Sequence, residues 1–277
     1  MRKVGLLAAG TGLALLVSAC GGGSGGTEAD GAAPAGLARA GEVTFCTDPE
    51  YPPMEYYAEG DTSTPIGFTS DGARALADLW EVEAKWQITA FDGLMPGLQA
   101  GRCDILWTAL YMSPERLEVA DAAAFLETGP GLLVRSGDTS ITSSEDLSGK
   151  TVAVQGGGSN ELTIRALSEE LEAAGLPGIT VQAYPKTAET VAAVTNGKAD
   201  ALIETDVAVV DMVGKSNGAL VAVPDVFPAD TRFGVYTKKD SPLTGPVAEG
   251  VRTLAENGTL QEIAVEYGLD PARVITD

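Results

Sequence analysis

Histidine is absent from this sequence of 277 residues. That absence removes Ser-His-Asp and Cys-His nucleophile systems and every His-ligated metal site. Cysteine is scarce: the three present, Cys20, Cys46 and Cys103, are too few for a thiolate metal cluster. No metal and no cofactor is therefore expected. Positive charge is also short, with 18 Lys and Arg against 39 Asp and Glu and a formal net charge of −21. Nucleic acid is not expected as a partner, because phosphate contacts need Lys and Arg. An acidic surface favours solubility and cationic or zwitterionic ligands over anionic ones. The apolar run from Val4 to Val17 is too short to span a bilayer comfortably. What is present is a chain with 44% hydrophobic residues, enough for one or two globular domains with real cores.

The first residues read as targeting rather than fold. Met1-Arg2-Lys3 is a basic start, the apolar run follows, and Val17-Ser18-Ala19-Cys20 places small residues before a cysteine. This ending resembles a bacterial lipobox. It implies a lipoprotein signal peptide over residues 1–19, lipid on the Cys20 sulfur and a location on the extracytoplasmic face of the cell membrane. An ordinary signal peptide with an incidental cysteine is the alternative. Residues 20–40, rich in Gly and Ala, are expected to be a flexible tether. Gly21-x-Gly23-x-x-Gly26 formally matches a dinucleotide fingerprint, but no strand precedes it and no helix follows.

From Val43 onward, strand-like and helix-like stretches alternate in two successive halves, which implies α/β architecture with mainly parallel sheets. Residues 91–125 are the most informative stretch. Ile105-Leu106-Trp107 is an apolar run suited to the middle of a parallel sheet. Thr108, Ala109 and Tyr111 follow at its carboxyl end, the side on which open α/β sheets bind ligands. Ser113-Pro114 begins a helix, with Ser as cap and Pro at the first helical position, and so holds Arg116 in a first turn beside that mouth. A guanidinium there offers a planar fork matched to a carboxylate. Pairing with a Glu on a helix surface is the competing role. In the second half, Thr151–Val154 reads as a buried strand and Gln155-Gly156-Gly157-Gly158-Ser159-Asn160 opens a helix. Glycines at a helix start expose N–H groups to an anion, although such turns also occur without a ligand. Gly149-Lys150-Thr151 is not a phosphate loop, since residue 144 is Ser and a strand follows.

The segment FDGLMPGLQAGRCDILWTALYMSPER, residues 91–116, resembles the extracellular amino-acid-binding proteins of ABC importers, solute-binding protein family 3. The likeness runs from about residue 43 to 268. It implies a two-lobed periplasmic-binding-protein fold of type II, each lobe a mainly parallel sheet flanked by helices, with two hinge crossings. Lobe 1 is expected over 41–131 plus 237–277, and lobe 2, including the hinge strands, over 132–236. Arg232–Tyr236 is expected to be the return crossing. The resemblance puts the grip on a ligand carboxylate at Arg116, assisted by amides at Gly158 and Ser159. It places Asp48 at the ligand's distal polar group and Tyr51 and Phe91 on either side of the ligand. A surface aromatic wedged by prolines is the alternative for Tyr51. An Asp in the family binds the ligand's amine at a strand end that here reads Glu204-Thr205-Asp206. Spacing lands on Thr205, a one-residue shift gives Asp206, and Glu204 is the other acid in reach. Asp206 could equally be just a helix cap.

Parallel neighbouring strands would put Cys46 and Cys103 at opposite ends of the sheet, so two free, mostly buried thiols are expected. The expected function is capture of a small zwitterion, a polar or basic amino acid, by a monomeric receptor that serves an ABC permease and ATPase through a lipid anchor. The alternatives are a receptor for a compatible solute and a cyclohexadienyl-dehydratase-like enzyme on the same fold, in which a cleft Asp or Glu acts as general acid.

Overall fold

The computed structural model describes residues 33–276. The signal segment, Cys20 and the start of the tether lie outside the described residues. The end of the expected tether is tied down: Leu37 packs on the core, and the Ala38 N–H donates to Asp104 Oδ1 at 2.9 Å.

The first half runs through β1 (Glu42–Thr47) and a small three-stranded sheet of β2 (Glu50–Tyr51), β3 (Glu55–Tyr57) and β4 (Pro65–Ile66). Then come α1 (Phe68–Leu79), β5 (Glu83–Ile88), a 3-10 turn at Phe91–Gly93, α2 (Leu94–Gln99), β6 (Ile105–Tyr111), α3 (Pro114–Val119) and β7 (Ala120–Thr128). The second half holds β8 (Pro130–Arg135), β9 (Thr151–Gln155), α4 (Ser159–Ala173), β10 (Thr180–Tyr184), α5 (Thr187–Thr195), β11 (Ala201–Thr205), α6 (Asp206–Lys215) and β12 (Leu220–Val223). The chain closes with β13 (Thr231–Lys238), α7 (Thr244–Glu256) and α8 (Thr259–Glu266).

Two five-stranded sheets result, in the orders β5-β1-β6-β13-β7 and β10-β9-β11-β8-β12. They repeat one plan. In the first, β1 pairs in parallel with β5 and β6, and β13 runs antiparallel between β6 and β7. In the second, β9 pairs in parallel with β10 and β11, and β8 runs antiparallel between β11 and β12. Both sheets are buried on both faces, as parallel strands require. Val43, Phe45, Ile105 and Trp107 face α1, α7 and α8, while Cys46, Leu106 and Leu110 face α2. Val152 and Val154 face α4, while Ala153 and Leu202 face α5 and α6.

The chain passes between the sheets at β7–β8 and again in residues 224–230. Arg232–Tyr236 is not itself that second crossing, because β13 pairs with the first sheet along its length. The two passages nearly touch at Gly129, where a Cβ would stand 2.5 Å from the Ala229 Cα and 2.7 Å from the Pro228 oxygen. Only a residue without a side chain fits there.

The expectation of free thiols is overturned. Cys46 and Cys103 form a disulfide with their Cα atoms 5.5 Å apart. A straight extension of its strand would put Cys103 at the far end of the sheet from Cys46. Instead residues 101–104 turn beneath α2, and the Asp104 N–H donates to the Thr44 oxygen, so Cys103 folds back over the sheet face that carries Cys46. The bond closes a loop with a sequence separation of 57, which in the chain-entropy model stabilises the fold by about 4 kcal/mol. The intact mass of the folded chain is expected to lie two hydrogens below that of the reduced chain, and reduction to lower its melting temperature by about 10 °C. An unchanged mass would remove the bond.

Candidate functional site

The carboxyl ends of the parallel strands in the two sheets face a shared cleft. Asp48 follows β1, Tyr111 ends β6, Gln155 ends β9 and Thr205 ends β11, and all four line it. Of the residues singled out in the sequence, Asp48, Tyr51, Phe91, Ala109, Tyr111, Arg116, Gly158 and Ser159 meet in this cleft.

Arg116 occupies the first turn of α3, behind the expected Ser113 and Pro114. Its Nη1 donates to the Tyr111 carbonyl at 2.9 Å and to Ser159 Oγ at 3.3 Å. The Tyr236 hydroxyl donates to the same carbonyl. Among the described residues Arg116 makes no ion pair, so the helix-surface partner considered for it is absent. Burial pulls its pKa below the usual value, against the fields of Tyr236 and Glu115. The half-buried guanidinium keeps its charge and has unspent donors. It stands at the N-terminus of α4, where the orphan amides of a helix start point outward. The Phe91 ring lies over Gly158, 3.6 Å from where a Cβ would be.

Glu204 sits across the cleft, 5% exposed. Its Oε1 accepts from the Tyr51 hydroxyl at 2.7 Å, the Thr205 N–H at 2.9 Å and Asn160 at 3.4 Å. It too has no cation among the described residues. Burial pushes its pKa up, opposed by those hydrogen bonds. Tyr51 Oη also lies 2.6 Å from Thr205 Oγ1. Two buried polar atoms beside the cleft, the Tyr111 hydroxyl and Asn160 Oδ1, have no hydrogen-bond partner in the protein. Such atoms cost free energy unless something meets them. At the outer end, burial and the neighbouring Glu50 raise Asp48 to about 6. The cleft thus holds a cation at one end and acids at the other. Among the described residues no cluster of acidic or thiol side chains is arranged to bind a metal ion.

A family model for the bacterial extracellular solute-binding proteins, family 3, matches residues 43–270. The chain belongs to that family. A similar relative is the arginine-binding extracellular protein ArtP of Bacillus subtilis, 27% identical, the match covering 96% of this chain and 98% of that protein. Another is the arginine-binding protein ArgT of Corynebacterium glutamicum, 30% identical over 86% of this chain and 77% of that one. Among solved structures, an ancestral arginine-binding protein bound to arginine superposes with a TM-score of 0.74 at 24% identity, covering 82% of this chain and 98% of that one. The fold is that of the type II periplasmic amino-acid-binding proteins, and the two sheets are the cores of its two lobes.

Two residues expected to contact a family 3 ligand stand elsewhere. Thr108 is buried behind the cleft, and its hydroxyl donates to Glu55. Asp206 has turned away from the cleft: Oδ1 accepts from Thr128 at 2.7 Å and Oδ2 pairs with Arg273. The acid facing the ligand space is Glu204. Glu50, Gln155, Asn160 and Thr187 also line the cleft. Sequence reasoning missed Gln155, Asn160 and Thr187 as lining residues; for Gln155 and Asn160 the signal was present, since they flank the Gly-rich turn.

Glu55 is the buried carboxyl behind the site. Oε1 accepts from the Thr108 hydroxyl, and Oε2 lies 2.7 Å from Thr69 Oγ1, which is itself 2.9 Å from the Met54 carbonyl. The single Thr69 proton cannot serve both oxygens. A protonated Glu55 resolves the conflict by donating to Thr69, which then donates to Met54. Burial raises this carboxyl from 4.5 to about 7. The proton stays on in the folded chain up to that pH but leaves the unfolded chain near 4.5. Its contribution to stability is therefore fully present below the lower value and lost as pH rises through the higher one. In Glu55→Gln the decline in unfolding free energy between these pH values is expected to shrink by about 3 kcal/mol, measured by urea titration across pH. A decline of wild-type size in that variant would show that Glu55 does not titrate there.

Proposed function

We propose that this protein is the receptor of an ABC importer and captures a small zwitterion, a polar or basic amino acid, by closing its lobes around it. The observation that carries this reading is Arg116: a half-buried guanidinium without a carboxylate among the described residues, placed at a helix N-terminus inside the interlobe cleft. A ligand carboxylate completes it. The buried Glu204 at the other wall suits the ligand's ammonium, and Asp48 with Glu50 suits a polar or cationic side-chain end. The names of the two relatives, both arginine-binding, support a basic ligand. We take 41–128 with 231–276 as one lobe and 130–223 as the other, joined at Gly129 and through residues 224–230; the boundary expected at 236 moves back because β13 pairs with the first sheet. The contact of Tyr51 with Glu204 and Thr205 joins residues of the two halves and is a contact of the closed form.

The lipobox ending at Cys20 supports a lipid anchor, and membership of the family supports delivery of the ligand to a permease and ATPase; we take the receptor to act as a monomer. The dehydratase reading draws on Asp48, a cleft carboxyl that holds its proton up to about 6. The relatives named above are binding proteins, so we read the protein as a receptor and not an enzyme, and expect prephenate and arogenate to be recovered unchanged after incubation.

Calorimetric titration with the amino acids tests the main reading. A charge-assisted hydrogen bond contributes about 1.5–3 kcal/mol, so Arg116→Ala is expected to weaken binding by about 10- to 100-fold. Arg116→Lys, which keeps the charge and loses the fork, should fall between. Wild-type affinity in Arg116→Ala would refute the site.

A further inference from the structure

Glu50 and Lys186 face each other across the outer end of the cleft. Glu50 lies in β2 beside the first lobe, and Lys186 caps α5 in the second, 136 residues away. The Lys186 ammonium donates to both Glu50 oxygens, at 2.6 and 2.8 Å. Asp48, Glu50 and Asp92 line the same outer depression, so one ammonium stands among three carboxylates. Its field also reaches Asp48.

We infer that Lys186 sets the charge selectivity of the cleft: held by Glu50 across the gap, its ammonium offsets one of the acids that would otherwise face the ligand's side chain. This rests on the proposal that an amino acid binds with its side chain toward Asp48. Both partners are about half exposed, and an exposed ion pair adds little to stability. Its effect is instead on difference. A cationic side chain meets a net negative field that Lys186 weakens and Glu50 strengthens, whereas a neutral side chain of the same shape is nearly indifferent to either. A mere strap between lobes behaves otherwise, since removing either half loosens the closed form equally for every ligand.

The sign of the change separates the two. Arginine and citrulline differ by a charged guanidinium against a neutral urea of the same shape. Their affinity ratio is measured by calorimetry at low ionic strength, where such fields are least screened, for wild type, Lys186→Gln, Glu50→Gln and the double variant. Both positions are exposed, and thermal melts verify that each variant folds. Removing one unit charge near a partly exposed cation changes affinity by about three- to tenfold. The arginine-to-citrulline preference is expected to rise by that factor in Lys186→Gln, to fall by it in Glu50→Gln, and to return near wild type in the double variant. Ratios that stay fixed, or move in the same direction in both single variants, overturn the inference while leaving the receptor reading intact. Wild-type protein that binds neither ligand overturns this inference, while the receptor reading stands or falls with the amino-acid titrations of wild type and Arg116→Ala.

Discussion

A half-buried guanidinium with no carboxylate beside it among the described residues is the constraint on which the site turns. Moving a charge into a low-dielectric cleft is costly unless partners meet it, and Arg116 has a carbonyl and a hydroxyl where a carboxylate belongs. The surrounding structure holds it in that state. Pro114 fixes the start of α3, the Tyr111 carbonyl takes one donor, and Tyr236 reaches the same oxygen from the neighbouring antiparallel strand. With the side chain placed in advance, less ordering cost falls on the binding step.

Charge at one wall would bind many anions. The opposite wall carries charge of the other sign: the buried carboxyl of Glu204 stands there, and Tyr51 reaches it from the other half of the chain. A ligand that separates or replaces these contacts changes the balance between open and closed forms only by its differential interaction with the two. The crossings that allow such motion are constrained in turn. At Gly129 they lie so close that any side chain would push them apart, so the freedom of the lobes is concentrated in a short, crowded passage.

The parts of this plan set by local chemistry were legible in the sequence. The apolar run at Ile105 marked a central strand, Ser113-Pro114 marked the helix start that carries Arg116, and the glycines after Gln155 marked a helix opening on the cleft. What escaped was set by paths between elements. A straight extension of the strand puts Cys46 and Cys103 at opposite ends of the sheet, whereas residues 101–104 turn back across it. Thr108 sits in the right strand but on the side facing Glu55, a partner distant in sequence. Lys186 carried no motif, and its pairing with Glu50 depends on how the two halves meet.

The acid at the end of β11 shows how a small shift is absorbed. Spacing put Thr205 at the amine position and left acids on either side. Strand alternation alone does not choose between Glu204 and Asp206, since both point away from the face Thr205 uses. The turn into α6 decides. Asp206 is the first residue of that helix and is drawn back to Thr128 and Arg273. Glu204 is still in the strand, but its side chain curls around the strand end far enough to accept the N–H of Thr205. The extra methylene of Glu over Asp supplies that reach, and the Thr205 hydroxyl left at the position meets Tyr51 instead. A carboxylate thus faces the ligand space from a residue whose place in the strand would have sent a shorter side chain elsewhere.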